Sequence, residues 1–381
     1  MALLGRFAGK CCRSLLSDFS KGGFCGVSQP GWLQCCIEAK RHLLSENVIR
    51  LQEFQQKKLA VAHKITGSEG NFLELFKQKM QRNELILRDE LKLLLHLCER
   101  PEDMEIAREA VFRYNKENRF LMHGDFRFGP VFMRLCYELE QEELAAATIT
   151  DKDMKGFFIE PTSFNIAIDM LFIKGSYKRA MDILRTMKDQ GLSFNKDTVM
   201  LATAVCYKLN TADSYKTCTD LIEEQQTKGQ MIPRRACCFA VALALRQNDT
   251  EKARSLYLQI LNMHGKLSLN LKVVILTMAG DVSGAISLIL AARLPKNSFF
   301  VKKMEFSQEV VDLLLLRTNG SQLQKEVEEI VSQLEEDGQV TEQTLDNMLC
   351  STPGWKRKPF LMENRKKISQ RTLRPQQLFS E

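Results

Sequence analysis

The sequence predicts an all-α protein, folded as a right-handed α-solenoid of about six helix-turn-helix repeats with flanking helices. Three observations carry this prediction: apolar residues recur at helical spacing, similar helix pairs recur about every 35 residues, and the chain has only 20 Gly and 9 Pro in 381 residues. With 44% apolar residues, the chain has enough side chain to build a core. A compact helical bundle is the alternative that this periodicity also allows.

The first 45 residues are predicted to be a mitochondrial transit peptide and disordered leader. Arg6, Lys10 and Arg13 lie among apolar residues, and no acidic residue precedes Asp18. This composition is typical of import into the mitochondrial matrix, whereas a secretory signal needs an unbroken apolar stretch of about 7–15 residues. We therefore expect matrix localisation and removal of the leader before about residue 50. An ordinary disordered basic start is the alternative.

Residues 46–84 are predicted to form an N-terminal helical segment, and residues 85–293 the repeats, of which residues 161–195 are the clearest. The apolar positions of this repeat are Phe164, Ala167, Ile168 and Leu171 in a first helix, then Ala180, Ile183, Leu184 and Met187 in a second. Gly175 separates the helices and Gly191 ends the second, as a C-terminal glycine does. Two antiparallel helices cannot bury both apolar faces alone, so the pattern requires neighbouring pairs.

Neighbouring pairs are indicated by a small residue that opens each second helix and recurs at intervals of 32 to 40 residues. These positions are Ala107, Ala147, Ala180, Ala253 and Ala285, with Tyr215 in the corresponding place before Ala253. They divide residues 85–293 into about six helix pairs. A stack of pairs that contact only their neighbours makes an extended concave surface instead of an enclosed pocket.

Residues 294–352 are predicted to cap the stack with helices at about 306–317 and 321–336. Residues 353–381 are predicted to be a basic disordered tail, because they carry eight basic and two acidic residues, a net charge of +6. The first 45 residues carry +4, so the part between them carries −3 of the total +7. This distribution excludes a strongly basic surface over the whole folded body.

Residues 161–195 resemble a pentatricopeptide repeat, a 35-residue helix pair with a T-Y-N-x-L-I opening and a characteristic pattern in its second helix. The matching residues are Ser163, Phe164, Asn165, Lys174, Gly175, Arg179, Ala180, Met181, Leu184, Met187 and Gly191. The other repeats match mainly in period, and recognisable repeats cover a little over half of the chain. A tetratricopeptide array is the competing family, but its early Trp is missing, because Trp32 and Trp355 lie outside the repeats.

The resemblance implies binding of single-stranded mitochondrial RNA, one base per repeat, through the fifth and the last residue of the repeat. Those residues are Asn165 and Asn195, a combination similar to one that favours a pyrimidine. We expect the Asn165 amide to turn off the apolar stripe into the groove, where it offers donors and an acceptor to a base edge. The alternative is that Asn165 merely faces solvent and Asn195 caps or turns the chain. In the next repeat the fifth position is Met200, which cannot hydrogen-bond a base.

Basic side chains near the predicted groove and in the tail are the candidate phosphate contacts. The candidates are Lys174, Lys196, Lys356, Arg357, Lys358, Lys366 and Lys367, and further basic residues near the groove are Lys178, Arg179, Arg234 and Arg235. The resemblance implies that they hold RNA through its charge, which makes binding salt-dependent. A solvated face and a tail without a partner are the alternatives.

The sequence has no motif for catalysis, for a metal ion or for a cofactor. The five histidines are isolated, and HExxH, a Gly-rich phosphate loop and CxxC spacing are all missing. Asp151 and Asp153 are two carboxylates that could suggest the divalent-metal site of a nuclease. Such a site needs further carboxylates from a catalytic domain, and too little chain follows the repeats to supply one. No stretch of about 20 consecutive apolar residues, the length of a transmembrane helix, is present in the sequence. Five of the 12 cysteines lie in the first 36 residues and the rest are scattered on predicted apolar helical faces, which predicts reduced thiols in a compartment that is not oxidising.

Two functions remain after these exclusions. In the first, the protein binds a mitochondrial transcript and acts without catalysis in its processing, maturation or stability, and so in the expression of the respiratory chain. In the second, it is a protein–protein scaffold in a mitochondrial RNA-processing or translation complex, with RNA-processing or ribosomal proteins as partners. The mildly acidic body favours the second function, whereas the asparagine pair and the basic tail favour the first. We expect RNA binding.

Overall fold

The structure, a computed structural model, describes residues 42–65, 69–118, 127–260, 265–293 and 304–351. Within these residues the chain forms 18 α-helices, one 3-10 turn and two strands of two residues each. The predicted all-α solenoid is confirmed, because the helices stack as consecutive pairs and each pair packs mainly on its neighbours. The two short strands are not predicted by the sequence.

Three helices precede the repeats: α1 (Glu46–Ile49), α2 (Leu51–Ile65) and α3 (Glu69–Gln81). Arg50 turns the chain between the first two in the left-handed conformation, with φ 55°. Phe54 of α2 and Phe76 of α3 are buried and join this segment to the core.

Six helix pairs follow, as predicted. They are α4 (Arg88–Leu97) with α5 (Asp103–Glu117), α6 (Gly129–Glu138) with α7 (Glu142–Thr150), α8 (Pro161–Ile173) with α9 (Tyr177–Asp189), α10 (Lys196–Leu209) with α11 (Ala212–Thr227), α12 (Arg234–Arg246) with α13 (Thr250–Tyr257), and α14 (Lys266–Ala279) with α15 (Val282–Arg293). The first helices contact one another in the order α4, α6, α8, α10, α12 and α14, and each packs on its own second helix. The first helices therefore form one continuous row.

The two helices of the clearest repeat are buried in different ways. The stripe of α9 that includes Ala180, Ile183 and Met187 is buried, whereas the rest of α9 is largely exposed. In contrast, α8 is buried on every side from Ser163 to Phe172. The sequence predicts one apolar stripe on each helix. The first helix has no exposed side because it packs within the row and is covered on both faces.

The structure corrects the register of one repeat. The sequence predicts that Ala147 opens a second helix at a packed position, but it is exposed, whereas Ala145 is fully buried. Ala145 is the fourth residue of α7, the place that Ala180, Ala253 and Ala285 hold in their own helices. Three consecutive alanines at 145–147 have the same chemistry, so periodicity could not distinguish them.

One further helix pair and a short helix close the C-terminal end. They are α16 (Gln308–Thr318), α17 (Gln324–Glu336) and α18 (Leu345–Leu349), with strands β1 (Phe306–Ser307) and β2 (Val340–Thr341) paired in parallel. α16 packs on α14 and α17 packs on α15, so they continue the stack where capping helices are predicted. α18 returns along the row and packs on α12 and α14.

The folded part begins before residue 46, the start expected for it. Leu43 and Leu44 belong to the predicted leader, but they are 0% and 2% exposed. α1, which follows them, packs on α8 in the middle of the row. The two leucines are buried because the chain crosses the first helices there before α2 begins. The other boundaries proposed for the segments of the chain stay predictions.

Candidate RNA interface

Asn165 and Asn195 meet at the junction of α8 and α10. Asn165 Nδ2 donates a hydrogen bond to Asn195 Oδ1 over 3.2 Å. The backbone N–H of Thr198 donates to the same oxygen over 2.8 Å, and Thr198 Oγ1 donates to Asn165 Oδ1 over 2.8 Å. The two ends of one repeat are thus joined in one hydrogen-bonded group, which we call the Asn165–Asn195–Thr198 cluster.

Asn195 is the N-cap of α10. Its backbone is extended, with φ −87° and ψ 178°, and its side-chain oxygen accepts the N–H of Thr198, which is the arrangement that a capping Asn favours. Capping is the alternative role that the sequence leaves open for this residue. It leaves the amide nitrogen unused, because Asn195 is exposed and its Nδ2 donates to no acceptor within the described ranges. Asn195 can therefore cap a helix and still offer two N–H donors to a ligand.

Asn165 does not project into an open groove as the sequence predicts. Its exposure is 0%, and its amide is taken up by Asn195 and Thr198. The physical reason is that α8 is covered on the side where the groove is expected, so a residue one position beyond the apolar stripe is also buried. Contact of either asparagine with RNA stays a prediction, and in this conformation only Asn195 is accessible.

The candidate basic residues differ in how far they are already paired. Lys196, the first residue of α10, is exposed and has no ion pair within the described part of the chain. A cation at this end of a helix opposes the helix dipole, so its position does not stabilise the fold. Lys174 Nζ lies 3.1 Å from Glu142 Oε1, and Arg179 pairs with Glu143. Lys196 is therefore better placed than Lys174 to meet a phosphate.

The five candidate residues of the basic tail lie outside the described residues. They are Lys356, Arg357, Lys358, Lys366 and Lys367. Their contact with RNA stays a prediction that rests on charge alone.

Sequence reasoning did not single out Asp169, which is completely buried in the middle of α8. Its Oδ1 accepts the backbone N–H of Leu43 over 2.8 Å and is 3.4 Å from the N–H of Leu44. Its Oδ2 lies 3.8 Å from His42 Nδ1, and His42 hydrogen-bonds Tyr137. The available signal was an aspartate inside an otherwise apolar helix, because a buried carboxylate requires partners.

Arg235 of α12 is also bound to the chain ends instead of being free for phosphate. Its Nη1 donates to the Leu43 carbonyl over 3.1 Å. Its Nε and Nη2 donate to the Leu349 carbonyl over 3.1 and 3.0 Å, and Nη2 also donates to the carbonyl of Ser351. Burial lowers the pKa of the Arg235 guanidinium, while the nearby Cys350 and Asp169 act in the opposite direction. This arginine joins the two ends of the folded chain.

We call the side of the row on which Asp169, Lys208 and Arg235 contact the chain ends the first-helix face. The C-terminal end is held there by a second contact, because Lys208 Nζ lies 2.7 Å from both carboxylate oxygens of Asp346. Residues 42–44 and α18 cover the middle of this face. The first-helix face is therefore covered over the central repeats and is not an open surface there.

The described cysteines and acidic residues do not assemble a reactive site. Seven described cysteines are free and buried, and burial raises the pKa of Cys98 to about 12 and that of Cys237 to about 11. Such thiols are poor nucleophiles at neutral pH. Within the described ranges, no three His, Cys, Asp or Glu side chains lie close enough to hold a metal ion. No helix in the same ranges is long and apolar enough to cross a membrane.

Comparison with known proteins relates the chain to mitochondrial proteins. Residues 32–352 match the family described as mitochondrial 28S ribosomal protein S27. The chain is 47% identical over 362 residues to pentatricopeptide repeat-containing protein 2, mitochondrial, of Danio rerio, with 94% of each chain covered. It is 42% identical to the protein of that name in Xenopus laevis, with 98% of each covered, and 43% identical to that in Homo sapiens, with 90% of this chain and 88% of the relative covered.

Proposed function

Since the chain belongs to the family of mitochondrial 28S ribosomal protein S27 and of the mitochondrial pentatricopeptide repeat-containing proteins 2, and is itself mitochondrial, we propose that it binds single-stranded mitochondrial RNA. Binding is biased towards certain bases and serves the processing, maturation or stability of a mitochondrial transcript. The protein acts by holding the RNA, and the chemistry belongs to other enzymes.

The observation that carries this proposal is the exposed amide of Asn195 beside the unpaired cation of Lys196. Two donors, Asn165 Nδ2 and the backbone N–H of Thr198, fix the Asn195 side-chain oxygen, so its Nδ2 is held in one direction and not left to rotate. An oriented amide discriminates base edges by its donors. The neighbouring ammonium supplies the charge that a phosphate requires. Asn165 supports the contact from behind, as a positioning residue that holds Asn195.

The test measures binding of purified full-length protein to labelled single-stranded RNAs that differ at one nucleotide. Asn195→Ser keeps an oxygen for the N-cap but removes the amide. We expect a loss of about 1–3 kcal/mol for the preferred base and a relaxed pyrimidine preference at one nucleotide. Lys196→Gln should weaken the binding of all RNAs equally. It should also reduce the salt slope, which is the slope of log affinity against log salt concentration, by about 0.7, the contribution of one phosphate on a single strand. Lys174→Gln should change binding less, because Lys174 already pairs with Glu142.

The matched control is Thr211→Ala, which removes the N-cap of the second helix α11 and so lowers stability away from the proposed contact. This variant should bind RNA like the parent protein. Equal loss for every base in Asn195→Ser would assign Asn195 to a phosphate contact and contradict base selection. No salt-dependent RNA binding by the isolated protein would reject the proposed function itself.

A scaffold in a mitochondrial translation or RNA-processing complex is the second candidate, and two observations favour it. The matching family is described as a ribosomal protein, and the first-helix face holds polypeptide instead of presenting a free groove. This function predicts recovery of the protein with mitochondrial ribosomal or RNA-processing proteins after nuclease treatment. It also predicts weak RNA binding in isolation, which separates it from the first candidate.

A further inference from the structure

Both ends of the folded chain lie on the first-helix face, although they are separated by about 300 residues of sequence. The N-terminal end contributes Leu43 and Leu44, and the C-terminal end contributes Leu349. All three leucines are at most 2% exposed. Their side chains therefore fill the face, while their backbones are bound by two charged residues of the row.

The carboxylate of Asp169 is bound by backbone N–H groups. It is completely buried, and such a charge is costly unless it is compensated. The compensation comes from the adjacent backbone N–H groups of Leu43 and Leu44, which lie 2.8 and 3.4 Å from Oδ1. Two consecutive N–H groups directed at one oxygen are a feature of polypeptide that a nucleic acid does not have.

The guanidinium of Arg235 is bound by backbone carbonyl groups. It donates to the carbonyls of Leu43, Leu349 and Ser351, so that one side chain holds both ends at once. An arginine has five N–H donors in a fixed planar arrangement, which allows it to span several carbonyls. The neighbouring Arg234, by contrast, is exposed and makes none of these contacts.

We propose that the first-helix face of α8, α10 and α12 is a binding groove for polypeptide backbone, filled by residues 42–44 and 349–351 of this chain. Asp169 accepts backbone N–H groups in this groove, and Arg235 donates to backbone carbonyls and ties the two ends together. RNA does not enter the groove, because its phosphates would face the buried carboxylate of Asp169 and find the donors of Arg235 already used. This inference goes beyond the proposed function and holds whether or not the protein binds RNA.

The groove also limits where the import leader is removed. Cleavage after Leu44 would leave the Asp169 carboxylate buried without its backbone partners. The mature protein must therefore keep residues 42–44. Its N-terminus, determined by mass spectrometry on protein isolated from mitochondria, should lie at or before His42. A mature N-terminus after His42 would overturn the proposal.

The main experiment compares amide hydrogen exchange of the full chain with that of two neighbouring variants. Arg235→Met should speed exchange on the order of tenfold or more in peptides from residues 42–50 and 345–351 together, because one side chain holds both. Arg234→Met, the matched control, should leave both peptides protected. Asp169→Ala should speed exchange at residues 42–50 more than at residues 345–351.

Two measurements keep the outcome decisive. Faster exchange throughout the chain would mean that Arg235→Met destabilises the whole protein. In that case Arg235→Lys is measured instead, because its ammonium keeps the charge but cannot span three carbonyls. If both chain ends stay protected from hydrogen exchange in Arg235→Lys, Arg235 does not hold them together and the proposal is wrong. Addition of saturating single-stranded RNA to the parent protein should leave both ends protected, and faster exchange there would show that RNA displaces them. That result would reject the polypeptide groove without rejecting RNA binding.

Discussion

At the level of single residues, the sequence predicts one shared role for Asn165 and Asn195, contact with an RNA base. In the Asn165–Asn195–Thr198 cluster, however, the two residues differ in exposure. Asn165 is buried and Asn195 is exposed, so replacing both with Ala does not isolate a base contact. Loss of the buried Asn165 amide leaves partners unsatisfied and costs about 1–3 kcal/mol of stability. Loss of the Asn195 cap costs about 1 kcal/mol more. A substitution that retains the cap is therefore the informative one.

His96 predicts a pH dependence of stability. It is 5% exposed in α4, and its Nδ1 lies 2.6 Å from the carbonyl oxygen of Lys92. Burial is the main cause that lowers the pKa of His96 below the ordinary 6.5, so the unfolded chain binds a proton more readily than the folded one. The neutral histidine therefore contributes stability above pH 6.5 that is lost as the pH falls further, by at most about 1.4 kcal/mol per pH unit.

The measurement for this prediction is thermal unfolding at pH 7.5 and at pH 5.5. The melting temperature of the parent protein should fall more between the two conditions than that of His96→Gln, which cannot titrate. Equal falls in the parent and in His96→Gln would contradict the effect.

At the scale of the helices, the register of α7 is the feature that periodicity alone places wrongly. Its packing position is Ala145, and Ala147 lies on the exposed side of the same helix. Two residues correspond to about 200° of rotation, which carries a side chain to the opposite face. The two alanines therefore form a matched pair for a test.

Ala145→Leu should lower the free energy of unfolding by about 1–3 kcal/mol, because the added carbons have no room beside the neighbouring helices. Ala147→Leu adds the same carbons at the surface and should change it by less than about 0.5 kcal/mol. Chemical denaturation followed by circular dichroism measures both. A larger loss of stability in Ala147→Leu than in Ala145→Leu would mean that Ala147 is the packed residue, as periodicity predicts.

At the level of the whole molecule, the excess of positive charge lies outside the folded body. The folded body is mildly acidic, and its central face is closed by the chain ends, so neither feature attracts RNA over a long distance. The basic residues concentrate in the two terminal segments. RNA attraction is therefore expected to come from the tail, with Asn195 and Lys196 contributing local contacts.

Replacement of Lys356, Arg357, Lys358, Lys366 and Lys367 with Gln should weaken binding similarly for all RNA sequences. The salt slope should decrease by about 0.7 for every phosphate that the tail no longer neutralises. Binding to labelled RNA across a salt series measures the effect.

The matched control replaces five exposed basic residues of the folded body with Gln, and they are Lys57, Arg82, Arg185, Arg317 and Lys325. This variant loses five positive charges, as the tail variant does, but its salt slope should stay near that of the parent. An equal slope in the two variants would show that total charge, and not the tail, governs binding.

The all-α class, the six helix pairs and the family resemblance could be predicted from the sequence, because helical periodicity and the residues of a repeat are local properties. The sequence also singled out Asn165 and Asn195 as the fifth and the last residue of one repeat, while their contact with RNA stays a prediction. The packing of the helices was needed to show that Asn165 is buried, that Ala145 is the packed alanine, and that Asp169 and Arg235 hold residues 42–44 and 349–351 on the first-helix face. The contacts of Asp169 and Arg235 with the chain ends join residues more than 100 positions apart, which repeat periodicity within 35 residues does not encode.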